Sequence, residues 1–184
     1  MTGWFVMQLK SSKIAGLAVD GAGFQGATSF LDKVTNKEGH TGYTSAENDS
    51  CMTAVGMVCR QFMGTPNNDP LLVGGANILV KALPEWKDGR DHARERGFYY
   101  WYYGTLAMFQ MGGDSWTKWN EKLKPVLVGN QCKGPMPLGT GPEDKDGSWD
   151  PESWIDPYGG RVMTTALGAL TLEVYYRYLP MYTK

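Results

Sequence analysis

Few residues of this chain have the types and spacing to do chemistry. Cys51, Cys59 and Cys132 make an odd set of thiols, which is not a disulfide framework. Cys51 and Cys59 are eight residues apart, about two helical turns, too far along an axis to pair. They read as small core residues. His40 lies in a Gly-containing polar stretch and His92 in the mixed-charge run Lys87 to Arg96, so both are expected on the surface. Neither stands at zinc-ligand spacing from a cysteine, and no metal site is expected. The acidic run Glu143 to Asp150 resembles a calcium loop only in composition. With Gly147 at the sixth position, the first is Pro142 and the twelfth Ser153, so the ligand spacing fails. No Gly-x-Ser-x-Gly, P-loop or dinucleotide fingerprint occurs, and no cofactor is expected.

The totals exclude further classes. The formal charge is −1 with a pI near 6.1, which offers no electrostatic case for nucleic acid. No apolar run reaches the roughly 18 residues of a membrane-spanning helix. The nearest candidate, Val162 to Leu172, is interrupted by three Thr and one Gly. No basic leader precedes Thr2, so no signal peptide is expected, and no compartment follows from the sequence. The abrupt start leads to the expectation that the chain is part of a longer protein.

The elements that position these residues follow a repeat. Met52-Thr53-Ala54-Val55-Gly56-Met57-Val58, Gly104-Thr105-Leu106-Ala107-Met108-Phe109-Gln110 and Thr164-Thr165-Ala166-Leu167-Gly168-Ala169-Leu170 are versions of one apolar helix. Trp4 to Lys10 is a worn fourth. Thr53, Thr105 and Thr165 are 52 and 60 residues apart. A period of that size with two helices per unit predicts stacked helical hairpins. Helices are expected over 2–18 with Thr2 as N-cap and Phe5, Val6, Leu9, Ile14 and Leu17 as the buried stripe, and over 23–34, 51–63 and 70–83. Asp69 and Pro70 start the fourth. Further helices are expected over 98–111, ended by Gly112-Gly113, over 116–130 capped by Asp114-Ser115 and disturbed at Pro125, and over 160–179. Residues 132–158 hold five Pro and four Gly and are expected as a long loop with a partner-contacting role. Helices three, five and seven are apolar and should form an inner layer, with amphipathic helices two, four and six outside.

Three segments resemble the terpenoid cyclase/protein prenyltransferase α/α-toroid family, in particular the squalene–hopene cyclase-like and prenyltransferase/squalene oxidase repeat proteins of bacteria. The likeness covers roughly residues 4–182. Gln110 followed by Gly112-Gly113-Asp114-Ser115-Trp116 is similar to that family's Gln-Trp repeat. Gln131 with Gly147-Ser148-Trp149 resembles a second copy with a long insertion. Gly159 to Leu167, continuing through Leu172 to Pro180, resembles the final inner helix of bacterial members. The resemblance implies an all-α, toroid-like arc of three to four hairpins, a single partial toroid over residues 1–184. In it Gln110, Trp116, Gln131 and Trp149 would brace helix ends.

The family's cyclases carry Asp-x-Asp-Asp-Thr-Ala, whose central Asp protonates the substrate. The matching stretch here is Asp49-Ser50-Cys51-Met52-Thr53-Ala54. Asp49, Thr53 and Ala54 match; Cys51 and Met52 replace the two adjacent carboxylates. A thiol with a pKa near about 8.5 cannot serve as that acid. The expectation is a domain without catalytic residues, acting as a protein-interaction or structural module. A protein partner or a second copy would cover the open end of the partial toroid. Two alternatives stand beside it. One is an isoprenoid-binding or cyclase-like enzyme whose acid lies outside this chain, with Tyr99, Trp101 and Tyr103 of the run Phe98 to Tyr103 as its groove. The other is a carbohydrate- or cell-surface-binding domain using Trp149, Trp154 and Tyr158.

Overall fold

The computed structural model describes residues 1–86, 97–133, 146–151 and 156–177. The protein is all-α. Its helices are α1 (Thr2–Ile14), α2 (Gly21–Val34), α3 (Ser50–Phe62), α4 (Pro70–Lys81), α5 (Phe98–Met111), α6 (Gly113–Gly129), α7 (Asp156–Leu172) and the short α8 (Val174–Arg177). The described residues contain no strand; Thr35 and Thr41 form one isolated bridge.

α3 and α5 are the centre because their sequences leave almost no polar face. Every residue of α3 from Thr53 to Phe62 is buried, and so is every residue of α5 from Tyr100 to Met108. α5 packs on α3 and on α7, and α1 packs on α3 with its Trp4 against the Tyr99, Tyr102 and Tyr103 rings of α5. α4 lies on α3, α6 lies on α5, and α4 and α6 touch each other. The outer helices are one-sided, as their patterns require: α4 buries Leu72, Ala76 and Leu79, and α6 buries Trp119, Leu123 and Leu127 at four-residue spacing.

Local chemistry sets the ends. The Asp69 carboxylate accepts from Leu71 N at 2.9 Å, and Pro70 occupies the first turn, where no N–H is needed. α5 starts at Phe98 and ends at Gly112, whose φ of 68° suits glycine. α6 runs straight through Pro125, which is exposed, so water can serve the carbonyl that loses its helical donor.

Several sequence expectations need correction. Thr2 is not a cap: it is the first helical residue, and Met1 stands at the cap position with no side-chain bond. α1 stops at Ile14, and its predicted stripe is not buried. Val6 is enclosed, but Phe5, Ile14 and Leu17 are 57%, 67% and 63% exposed, because α1 ends the row of helices and has neighbours on one side. α2 begins two residues early, since the Asp20 carboxylate caps Ala22 N at 2.9 Å. α6 begins at Gly113, with Asp114 inside its first turn near the positive end of the helix dipole rather than capping it. The last helix breaks at Gly160 (φ 61°) and again after Leu172; residues 178–184 lie outside the described part.

Candidate functional site

The repeated Thr copies share one structural task. Each places a hydroxyl where a helix meets the segment that must be held against it. Thr53 Oγ1 accepts from Thr41 N at 3.0 Å and Thr105 Oγ1 from the Trp119 indole at 3.0 Å; at the third copy Thr165 Oγ1 accepts from Trp149 N at 3.4 Å, while its neighbour Thr164 donates to Trp149 O at 2.9 Å. A glycine beside each Thr makes the room. A Cβ on Gly56 would stand 2.7 Å from Thr41 Oγ1, one on Gly168 would stand 2.9 Å from the Trp149 ring, and one on Gly104 would enter the Trp119 ring. The Thr–Gly pair is thus a lock used three times, once on each of α3, α5 and α7.

The stretch aligned with the cyclase acid opens α3. Asp49 is its N-cap, and its carboxylate accepts from Met52 N at 3.0 Å. Cys51 is buried at 1% exposure, and Met52 lies on the wall of a cavity. No carboxylate stands at either of the two family acid positions.

The residues expected to brace helix ends make different contacts. Gln131 Nε2 donates to Gly147 O at 2.8 Å, and the Trp149 indole donates to Leu127 O at 2.8 Å, which ties the segment after α6 onto that helix's last turn. Trp116 packs edge-on against Phe109 and tilts against Tyr175. The Gln110 side chain donates to Leu106 O of its own helix at 3.4 Å, and its backbone carbonyl accepts from Asn67 Nδ2. Trp149 is 2% exposed, so it cannot present a surface to a glycan as the third alternative requires. Trp154 lies outside the described residues, and Tyr158 is 88% exposed.

The aromatic run of α5 divides by face. Tyr99 and Tyr103 lie with ring centroids 5.0 Å apart, and Trp4 of α1 stands edge-on to both. Trp101 points away, against Phe98 and Trp86. The three expected groove residues therefore do not line one groove. Tyr100 faces α6 and donates to Ala82 O at 2.7 Å.

Beside Tyr99 lies an open-mouthed pocket of about 230 Å³ lined by α1, α2, α3 and the loop before α3. Phe30, Val34, Met52, Val55 and Cys59 supply its apolar wall, Thr41 and Tyr43 its loop side, and Met1, whose amino terminus acts electrostatically on Cys59, lines it too. Burial pushes the Cys59 thiol up to about 12 and the Tyr99 phenol up to about 12. Burial, then the neighbouring Tyr99 and Tyr102, raises Tyr103 well above the ordinary tyrosine range. The Tyr103 hydroxyl is buried without a hydrogen bond of normal geometry to the described residues. Reading the sequence alone missed this cavity. Its lining joins the three consecutive helices α1, α2 and α3 and the loop before α3 to Tyr99 of α5, a contact that no local pattern signals.

Among the described residues no group of three or more His, Cys, Asp or Glu is placed to hold a metal ion. None of their helices is long and apolar enough to cross a membrane. Comparison with protein-family models, curated proteins and solved structures finds no match to this chain.

Proposed function

We propose that this chain is a non-catalytic domain of the terpenoid-cyclase-like α/α-toroid kind, a partial toroid that works as a protein-interaction or structural module. The observation that carries this reading is the use made of Asp49. It is the single carboxylate retained from the acid motif, and it caps the helix that the motif would open. A buried thiol and a thioether occupy the two acid positions, and neither can protonate an alkene. The apolar side chains left open on α1, with Phe5 and Ile14 more than half exposed, support an interaction role at that end of the helical row.

Light scattering on the chain, alone and with squalene or a prenyl diphosphate, tests this reading together with product analysis. A mass and melting temperature indifferent to both lipids, with no turnover, is the expected result. Turnover, or a melting temperature raised by either isoprenoid, would instead favour a cyclase-like or isoprenoid-binding protein.

A further inference from the structure

α1 and α2 form an antiparallel hairpin: Leu9 lies beside Gly23 near the connection, and Met1 to Gly3 share a pocket wall with Phe30, Leu31 and Val34 at the other end. A groove of about 220 Å³ runs between the two helices. α1 supplies Thr2, Phe5, Val6 and Leu9 to it, and α2 supplies Gly23, Gly26, Ala27 and Phe30. Both sets follow the i, i+3, i+4, i+7 spacing of one helical face, so each helix turns a whole stripe toward the groove. None of these eight residues is charged. The relief of the face is uneven. Phe5 and Phe30 stand out of it, 57% and 38% exposed. Gly23 serves the hairpin itself, since a Cβ there would stand 2.9 Å from Leu9 Cδ1. Gly26 does not: a Cβ on it would meet no described atom within 4 Å. Glycine inside a helix costs about 1 kcal/mol against alanine, so a hollow is kept at Gly26 that no described residue fills. One surface thus carries both a knob and a hollow, as a two-fold contact between identical chains requires. A second copy brings an equally uncharged face, and the formal charge of −1 sets up little repulsion between copies. At 13 and 14 residues the helices are each about 20 Å long, so their joint face is about 20 Å square. That is toward the small end of specific interfaces, which bury about 800 Å² per partner, and it fits a reversible dimer of micromolar affinity.

We propose that the α1–α2 face pairs with the same face of a second copy of this chain about a two-fold axis, a four-helix contact in which Phe5 of one copy seats over Gly26 of the other. The pairing rests on the interaction-module reading and names the partner of the surface left open at α1.

Sedimentation velocity of the chain from about 1 to about 500 µM tests the pairing, with melting temperature read with and without farnesyl diphosphate. A concentration-dependent monomer–dimer equilibrium is expected. Phe5→Ser should weaken the dimer about tenfold or more, with circular dichroism reporting an intact fold. Gly26→Leu meets nothing in its own chain and raises helix propensity, so it should not lower the melting temperature; by filling the hollow it should weaken the dimer at least about tenfold. Ile14→Ser is the control. Ile14 is 67% exposed but lies nine residues from Phe5, on the opposite side of α1, so dimer affinity should not change. The proposal is overturned if the chain stays monomeric throughout, if Phe5→Ser or Gly26→Leu dimerises as tightly as the parent, or if Ile14→Ser weakens the dimer as much as they do. A monomer whose melting temperature ignores farnesyl diphosphate removes the pairing and leaves the module reading standing. A melting temperature raised by farnesyl diphosphate counts against the module reading whether or not the chain dimerises.

Discussion

The Trp119 indole N–H of α6 donates to the Thr105 hydroxyl oxygen of α5 at 3.0 Å, and the ring lies over Gly104 with no room for a Cβ beneath it. Trp119 and Thr105 are both fully buried, so this bond joins the inner and outer helices where water cannot replace it. The same device recurs with Thr53 and Gly56 around Thr41, and with Thr165, its neighbour Thr164 and Gly168 around Trp149.

Gly104→Ala should therefore destabilise the fold by about 1–3 kcal/mol, the cost of overpacking a filled core. Thr105→Val, similar in shape, should cost about 1–3 kcal/mol by leaving the Trp119 N–H buried and unpaired. Urea unfolding of both variants checks this. A Gly104→Ala protein as stable as the parent would show that α5 and α6 can separate without penalty.

Trp149→Ala should lower stability by about 3–5 kcal/mol, as for other large aromatic truncations. Its ring fills the space over Gly168, and its N–H is bonded to Leu127 O. Any loss of glycan binding in that variant would accompany loss of fold. Circular dichroism melting beside a binding assay separates the two.

Asp49→Ala should cost about 0.5–2 kcal/mol through the lost α3 cap, and Asp49→Asn much less, because Asn caps nearly as well. Thermal melts of the pair are diagnostic. If Asp49→Asn were as damaging as Asp49→Ala, the carboxylate would have a role beyond capping.

The buried phenols and thiol make stability depend on alkaline pH. Cys59 moves from 9.0 to about 12 and Tyr99 from 10.0 to about 12, both raised by burial. In each case the folded state holds its proton longer than the unfolded chain. Stability is thus complete below about pH 9 and falls as pH rises from there toward 12. Tyr103→Phe removes one such group and a buried hydroxyl without a normal hydrogen bond. It should be neutral or stabilising by up to about 1 kcal/mol at pH 7 and should flatten the alkaline decline. Guanidinium unfolding at pH 7, 9 and 10.5 measures both effects.

What the sequence determined by itself was local. Asp69-Pro70 and the span from Phe98 to Gly112 could be located because a cap, a proline and a glycine act through the nearest turn of backbone. The repeated Thr was legible for the same reason, as a spacing, but its purpose was not. The acceptor at Thr105 and the donor at Trp119 meet only once α5 and α6 pack. Tertiary structure alone decided which apolar faces are covered. Phe5 and Leu17 read as core by periodicity, yet among the described residues nothing covers them and they are 57% and 63% exposed. Trp149 read as a brace with a surface contact as the alternative, and in the structure it is buried and bonded to a carbonyl 22 residues away. Periodicity reports what a helix could bury; a neighbour at contact distance is needed to exclude the water, and that depends on the whole chain.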